Sequence, residues 1–453
     1  MLESDPVRAL TSLDAAVVAV PLGARATVSA SVVGKLVELP PLLLLFTAIP
    51  RILGPSRFGD FALGFFTVTL GSACVALSGA ALMSRFVAAA PREERHGLAY
   101  ALGRDLLTRR VRQILALVAF GTLLSAIFPE RLSASLTGVV LAALSLDLLA
   151  TICFQVALGL GRTRLWSFRY AVQNSTILVS ALFLTYLFGP GAAIGGLLVG
   201  SAAAFLVGTA AVLRPLREVR AAQAEVPKLP AVASRFRRLK GLSNVLTQLA
   251  HRGGVILVAV LTGSKVETGY AGLAIGTGLT ATYAIWQVFT VQLPAHSEHT
   301  MHNRFAAERV LRRFAEKTEL VCVALVLLAV AVLSPVASFF LGHRFNGARE
   351  AFTPAIALIP LAPLTALGSQ MTTLRLRPEI EAGATAVGAV VFFAVAGAAI
   401  PVWSATGATM ALLASVLTTT AVLTLCLRDA MSLRMTALGL VSVPIVLALH
   451  AVS

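Results

Sequence analysis

The sequence predicts an all-α, polytopic membrane protein, and two observations support this. The chain has 453 residues, of which 57% are hydrophobic and 13% are charged, with a mean hydropathy of +0.85. Soluble domains average about 45–50% apolar and about 25% charged residues. In addition, the apolar residues form long tracts, each close to the roughly 20 residues that a spanning helix needs. This composition excludes a soluble enzyme, a disordered chain and a disulfide scaffold.

Charged or Pro- and Gly-containing segments divide the apolar tracts into twelve predicted spans. They cover 28–50, 59–88, 113–128, 134–160, 169–188, 191–213, 242–262, 268–293, 318–341, 351–374, 384–401 and 405–427. A shorter stretch, 435–451, contains Pro444, and the sequence leaves open whether it is a thirteenth span or an interfacial helix. The apolar run near the start follows acidic residues and leads directly into a span, so we expect no cleaved signal.

The spans group into two pseudo-symmetric six-helix lobes around a central cavity. We expect an N-lobe over 28–213 and a C-lobe over 242–427, with 1–27 as a cytoplasmic or interfacial segment and 428–453 as a tail. Segment 214–241 carries eight basic residues and three prolines, so we interpret it as a cytoplasmic linker at the anionic inner leaflet.

The positive-inside rule gives the orientation. With a cytoplasmic N-terminus, inside segments hold 28 lysines and arginines, outside loops hold six and spans hold three, which together are the 37 in the chain. The outside six are Arg51, Arg57, Arg131, Lys265, Arg344 and Arg349. We therefore expect the N-terminus on the cytoplasmic side of a bacterial inner membrane.

The two halves repeat one pattern at an offset of 209 residues. Gly54 aligns with Gly263, and Phe61-Ala62 aligns with Tyr270-Ala271. In each half a span, a short Gly loop, a second span and a basic amphipathic stretch follow in order; the stretches are 91–112 and 296–317. Such repeats in transporters place the substrate path between the lobes.

Three segments carry a resemblance to a known family. Ile49 to Ala62 resembles its LGPxxFGxFA first loop, 248–271 with Leu293-Pro294-Ala295 resembles its second-lobe pattern, and 339–352 resembles a later outside loop. The chain is similar, from about residue 28 onward, to the Wzx-type polysaccharide flippases of the multidrug/oligosaccharidyl-lipid/polysaccharide exporter superfamily. Gly253 and Gly254 stand where that family often has an acidic residue.

The resemblance implies a flippase that moves an undecaprenyl-pyrophosphate-linked oligosaccharide to the outer leaflet by alternating access, with membrane lipids and other polysaccharide assembly proteins as partners. The runner-up is a cation- or proton-coupled drug antiporter of the same superfamily. A membrane enzyme of polysaccharide assembly is disfavoured, because the predicted outside loops are short. We expect no catalytic residues, no cofactor, no metal and no nucleic-acid partner.

Intramembrane cations are the main candidates for substrate binding, since a charge in a span persists where it meets a partner or a wet cavity. Lys35 lies in span one and Arg252 in span seven, its repeat counterpart. Either one could contact pyrophosphate, and the alternatives are a local ion pair of Lys35 with Glu38 and snorkelling of Arg252. Arg85, near the cytoplasmic end of span two, is the third candidate and fits snorkelling better.

Acidic residues are the candidates for ion coupling. Asp147 lies in the middle of span four, and Glu38 lies one turn from Lys35. The alternative role for Asp147 is a hydrogen-bonded packing carboxyl. After Glu38, Pro40-Pro41 predicts a break or a static kink in span one.

Amides and histidines complete the set of candidates. Several intramembrane amides either bind sugars or bond between helices: Asn174, Asn244, Gln248, Gln287 and Gln370, together with Gln173 and Gln292. His296, His299 and His302 share one face of a helix, where a solvated cytoplasmic surface is favoured over a metal site.

Overall fold

The structure is a computed structural model of the chain, and it describes residues 23–76, 79–83, 87, 92–127, 134–221, 231–431 and 433–452. Regular structure in these ranges is helical. The N-lobe helices are α1 Gly23–Leu45, α2 Ala48–Ala76, α3 Gly79–Leu82, α4 Arg92–Ile127, α5 Ala134–Gly159, α6 Thr163–Phe188 and α7 Gly195–Ala221. The C-lobe helices are α8 Ala231–Thr262, α9 Lys265–Leu341, α10 Arg349–Ile356, α11 Ala362–Leu374, α12 Pro378–Cys426 and α13 Leu433–Val452.

Eight helical segments in the described ranges are long and apolar enough to cross a membrane. They are Ala48–Val75, His96–Ile127, Ala134–Gly159, Arg164–Phe188, Pro190–Val212, Arg235–Thr262, His343–Leu374 and Pro378–Cys426. The prediction of an all-α polytopic protein is confirmed. The predicted tract 435–451 lies in α13, whose apolar part, Arg434–Ala448, is shorter than these segments.

Helix α9 contains two of the predicted spans, because its 77 residues turn back on themselves. A straight helix of this length would measure about 115 Å. Yet the Tyr270 hydroxyl near its start donates to the carbonyl of Arg344, just beyond its end, at 3.3 Å. The Phe289 and Phe314 rings also meet, with centroids 5.1 Å apart. The two halves of α9 are therefore antiparallel, as the predicted spans 268–293 and 318–341 require.

Helix α12 likewise combines the last two predicted spans. Ser404 has φ 45° and ψ −116°, which no α-helix contains, and it lies between the predicted spans 384–401 and 405–427. Gly388 in the first half lies against Thr419 and Ser415 in the second half. The chain therefore folds into a hairpin at Ser404.

The first two spans differ in detail from the prediction. Helix α1 continues through Pro40 and Pro41, so the expected break is absent there. A turn at Phe46 and Thr47 follows, and the backbone leaves helical geometry at Gly54, in the predicted loop between spans one and two. Helix α2 is described as far as Ala76, inside the predicted span 59–88, and residues 77 and 78 lie outside the described part of the chain.

The predicted basic amphipathic stretch 91–112 and the predicted linker 214–241 are helical where the structure describes them. The basic stretch 91–112 is continuous with span three in α4, and α7 and α8 extend into 214–241 from both sides. Helical backbone satisfies its own amides and carbonyls, so a basic amphipathic sequence can continue a span beyond the apolar region.

The repeat is visible in the backbone of two glycines. Gly54 has φ 74° and ψ 169°, and its predicted partner Gly263 has φ 65°. Residues with a side chain rarely adopt positive φ, which explains glycine at both positions. Gly54 forms a kink inside α2, and Gly263 lies in the short connection between α8 and α9.

Each lobe packs around its own helices. In the N-lobe, α1 packs against α6 and α5 against α7, while in the C-lobe α8 packs against α12. The lobes meet where α2 contacts α8 and α9 and where α1 contacts α9, and we call this contact the inter-lobe seam. Spans one, two, seven and eight, which the repeat relates, therefore form it.

Candidate functional site

Arg252 bridges the inter-lobe seam. Its Nη1 donates a hydrogen bond to the carbonyl of Thr69 in α2, at 2.8 Å. Arg252 lies about 16 Å along α8 from Gly263, close to the middle of a hydrocarbon core of about 30 Å. Within the described residues, no carboxylate lies at salt-bridge distance from this guanidinium. The charge is thus directed at the opposite lobe and not at a counter-ion.

Asn244 forms a second bridge two turns below Arg252 on the same face of α8. Its Nδ2 donates to the carbonyl of Ala73 at 3.0 Å. Ala73 lies in the last described turn of α2. Arg110 of α4 donates to the carbonyl of Val75 in the same turn. The last described turn of α2 therefore accepts hydrogen bonds from donors in both lobes.

Tyr283 of α9 organises the polar face of α8. Its hydroxyl donates to Gln248 Oε1 at 2.8 Å and lies 3.2 Å from His251 Nδ1. The Arg252 guanidinium carbon lies 5.3 Å from the centroid of the tyrosine ring, which is a cation–π distance. The predicted stripe of Asn244, Gln248 and Arg252 is thus one connected polar surface at the seam.

Two glycines close the seam near its predicted outer end. A Cβ on Gly59 would lie 2.0 Å from the carbonyl oxygen of Lys265, and a Cβ on Gly269 would lie 2.3 Å from that of Pro55. Only hydrogen fits at either position, so the backbones of α2 and α9 are in direct contact. Beside them Lys265 Nζ lies 3.0 Å from Asp60 Oδ1, which joins the lobes by an exposed ion pair.

Further contacts hold the two ends of the seam. At the outer end, Phe58 of the N-lobe meets Phe345 of the C-lobe, with ring centroids 6.4 Å apart. At the predicted cytoplasmic end, Arg237 Nη1 of α8 lies 3.6 Å from Asp105 Oδ2 of α4. The lobes are therefore in contact on both sides of Arg252.

Asp147 has a built-in counter-ion. Arg169 Nη2 donates to Asp147 Oδ1 at 3.0 Å and to Thr151 Oγ1 at 2.7 Å, and Gln173 Nε2 donates to Asp147 Oδ1 at 2.8 Å. Asp147 and Arg169 are 5% and 2% exposed and lie inside the N-lobe. A buried pair of this kind leaves no net charge for a transported ion to neutralise.

The C-lobe holds a similar buried pair. Lys240 Nζ contacts Glu381 Oε2 and lies 3.1 Å from Ser369 Oγ, while Ser369 and Thr372 donate to the two Glu381 oxygens at 2.9 and 2.8 Å. Glu381 and His251 also line a cavity of about 40 Å³, which is room for water. Each lobe thus encloses an acid with a basic partner, and the C-lobe has a second such pair, in which Arg375 Nη2 lies 2.7 Å from Glu308 Oε2.

The remaining predicted site residues are not brought to the seam by any contact in the described portion. The side chain of Lys35 and the whole of Arg85 lie outside the described part of the chain. The side chains of Gln292, His296, His299 and His302 also lie outside it. Asn174 and Gln370 are buried inside the lobes, and Glu38 is half-buried on α1. Gln287, half-buried, lies one turn after Tyr283 on α9, and its Oε1 has no partner among the described residues.

Sequence reasoning missed Arg169, Lys240, Glu381 and Tyr283. The first three lie at or just beyond the predicted span ends, so they counted as loop charges. Arg169 is 22 residues from Asp147 in the sequence. This separation suits two residues that face each other on antiparallel helices joined by a short turn, so it could have predicted the ion pair. Nothing in the sequence distinguishes Tyr283 from other aromatic residues in the core.

The fold matches those of known transporters, although no family model and no curated protein matches the chain. A structure of the lipid II flippase MurJ in an inward closed conformation superposes with a TM-score of 0.66 at 13% identity, covering 94% of this chain and 92% of MurJ. An outward-facing multidrug resistance MATE family transporter of the MOP superfamily gives a TM-score of 0.63 at 14% identity, covering 91% and 96%.

A third structure, the Vibrio cholerae MATE transporter VcmN in its bent form, gives a TM-score of 0.61 at 15% identity, covering 92% of this chain and 99% of VcmN. Identities this low show the fold alone. The chain has the two-lobe helical fold of the MOP-superfamily transporters, and it is a multi-pass membrane protein. These neighbours are transporters or flippases and not enzymes.

Proposed function

We propose that the protein is a flippase that carries an undecaprenyl-pyrophosphate-linked oligosaccharide from the inner to the outer leaflet of the bacterial inner membrane for surface polysaccharide biosynthesis. The lobes rock about the seam, the pyrophosphate meets Arg252, and the lipid tail stays in the bilayer. Lys35 and Arg85 are further proposed contacts of the pyrophosphate. The amides Asn244, Gln248 and Gln287 are proposed to meet the sugars.

The observation that carries this proposal is the sign of the charge at the seam. Two ion pairs join the lobes at the ends of the seam, Asp60 with Lys265 and Asp105 with Arg237. Between them, Arg252 is the charged side chain that bonds across the described seam. A guanidinium binds phosphate oxygens in pairs and favours an anionic ligand. The fold shared with a lipid II flippase supports the same substrate class.

The alternative, a cation- or proton-coupled drug antiporter, needs an acid in the transport path. The embedded acids Asp147 and Glu381 lie inside the lobes and have their own cations, Arg169 and Lys240. A third buried acid, Glu319 of α9, has no hydrogen-bond partner among the described residues, and it packs against Gly439 of α13 and not at the described seam. An acid that is already neutralised attracts a cationic drug weakly. The anionic substrate is therefore favoured.

An accumulation assay tests the proposal in cells. In a strain that lacks the protein and retains the other assembly enzymes, extracted lipid-linked oligosaccharide should accumulate, and the wild-type chain should clear it. Arg252→Ala should fail to clear it, whereas Arg112→Gln, which removes an exposed charge on α4, should behave as wild type. Absence of accumulation in the deletion strain would contradict the proposal.

A further inference from the structure

Arg252 has two partners of different kinds. One, the ring of Tyr283, belongs to its own lobe, and the other, the carbonyl of Thr69, belongs to the opposite lobe. When the lobes separate, the contact with Thr69 breaks and the contact with Tyr283 can persist. The guanidinium then stays positioned at the seam with free N–H donors.

The partner in the opposite lobe is a weak one. A backbone carbonyl is neutral and offers one oxygen, whereas a phosphate offers charge and two oxygens in the geometry of the guanidinium fork. An anion that reaches the seam therefore competes well with Thr69. The second bridge, from Asn244 to Ala73, ends on the same region of α2 and involves no charge.

Tyr283 is itself held in place. Its hydroxyl donates to Gln248 and contacts His251, both on α8, so the ring is fixed beneath the helix face that carries Arg252. His251 and Arg252 are adjacent in the chain, and Gln248 is one turn away. The ring thus sets the direction of the guanidinium toward α2.

We propose that Arg252 is a latch between the lobes that the phosphate group of the substrate releases, and that Tyr283 is its positioning residue. The proposal rests on the proposed function for the identity of the anion. Without substrate, the bond to Thr69 keeps the lobes together. With substrate, the phosphate replaces the carbonyl, and the lobes become free to rock.

The test measures the distance between the lobes in the full chain. Spin labels are placed on a cysteine-free background at Leu107 of α4 and Leu242 of α8, which are 45% and 48% exposed and lie near the Asp105–Arg237 pair. The protein is reconstituted in phosphatidylcholine nanodiscs, and inorganic pyrophosphate is the probe. Pulsed electron resonance then reports the distribution of distances.

The wild type should show a short distance that lengthens as pyrophosphate is added. Arg252→Gln should show the longer distance without any ligand and no further response. Arg252→Lys retains the charge and is the control for misfolding. It should show the short distance without ligand and should need roughly tenfold more pyrophosphate to lengthen it. Arg112→Gln should match the wild type. Tyr283→Phe keeps the ring but loses the hydroxyl contacts with Gln248 and His251, so it should shift the half-saturating concentration upward by less than Tyr283→Leu, which should shift it upward by roughly tenfold.

Two results would overturn the proposal. An unchanged distance in Arg252→Gln would show that no latch exists, and an unresponsive wild type would show that phosphate does not release it. A longer distance between the spin labels in phosphatidylglycerol nanodiscs without pyrophosphate would show that a lipid headgroup is the anion that breaks the latch. That result would overturn release by the substrate. The distance measurement does not depend on transport. A failure of the latch can therefore be distinguished from a failure of the proposed flippase function, which the accumulation assay tests.

Discussion

Arg252 of the C-lobe donates a hydrogen bond to the carbonyl of Thr69 in the N-lobe, at 2.8 Å. A charge in the middle of a membrane is costly unless it meets a partner or water. Here the partner is a helix carbonyl of the opposite lobe, and not the cytoplasmic headgroups that a snorkelling arginine would reach. The position of this one side chain connects the fold to the proposed transport of an anionic lipid.

Neutralising Arg252 should reduce substrate binding. A charge-assisted hydrogen bond contributes about 1.5–3 kcal/mol, so Arg252→Ala should weaken binding roughly ten- to hundredfold. Arg252→Lys should restore part of it, because it keeps the charge and loses the planar fork. The measurement is transport normalised to the amount of protein in the membrane. Full activity of Arg252→Ala would remove Arg252 from the substrate path.

Breaking the buried pair of Asp147 and Arg169 should destabilise the N-lobe. Arg169→Gln leaves Asp147 without its cation and should cost about 3–5 kcal/mol, whereas the double variant Asp147→Asn/Arg169→Gln should recover most of that loss. Thermal unfolding in detergent gives the comparison. If the double variant were no more stable than Arg169→Gln, the two side chains would not act as a pair.

The same pair predicts how Asp147 relates to an ion gradient. Because Arg169 already neutralises the carboxylate, Asp147→Asn should lower stability and leave the gradient dependence of transport as it is in the wild type. Transport by reconstituted protein, with and without a proton or sodium gradient, provides the readout. Loss of the gradient response in Asp147→Asn would assign ion coupling to this residue.

The sequence predicts the order of the spans, because long apolar tracts indicate membrane-spanning helices. Where their residues are described, the predicted tracts lie in the helices of the structure, and α9 and α12 each contain two of them. What the sequence cannot supply is the partner of each polar side chain. Arg252 and Asn244 bond to backbone carbonyls, which every residue has, so no pattern of residue types marks Thr69 or Ala73.

Charges at span ends are the second limit. The sequence places Arg169 at the first residue of the predicted span 169–188, where it is interpreted as a charge of the preceding loop. In the structure it lies six residues after the start of α6 and is buried. The end of an apolar tract fixes a helix end only to within a few residues. A buried ion pair at such an end is therefore easily mistaken for a solvated charge.

The predicted orientation can be tested by labelling. In a background without Cys74, Cys153, Cys322 and Cys426, a cysteine at Ser56 should react with an impermeant thiol reagent in intact cells. A cysteine at Ser234 should react only after the membrane is opened. The basis is the excess of lysine and arginine in the predicted inside segments. Labelling of Ser234→Cys in intact cells would reverse the topology.

Filling the contact between Gly59 and Gly269 should hold the outer seam open. A side chain at Gly269 would meet the Pro55 carbonyl at 2.3 Å, so Gly269→Leu should prevent closure. A cysteine at Tyr270, beside it, should then label faster from outside than in the parent protein. Gly383→Leu is the matched control, since no atom lies near a Cβ at that position. Equal labelling rates would show that this contact is not a gate.

Reconstituted flipping tests the central claim most directly. Purified protein in liposomes is given a polyprenyl-pyrophosphate oligosaccharide with a fluorescent sugar, and a membrane-impermeant quencher reports how much of it becomes accessible outside. The account predicts protein-dependent exposure of the label, strongly reduced by Arg252→Ala and unaffected by Arg112→Gln. Exposure equal to that of protein-free liposomes, together with transport of a cationic drug by the same preparation, would contradict it.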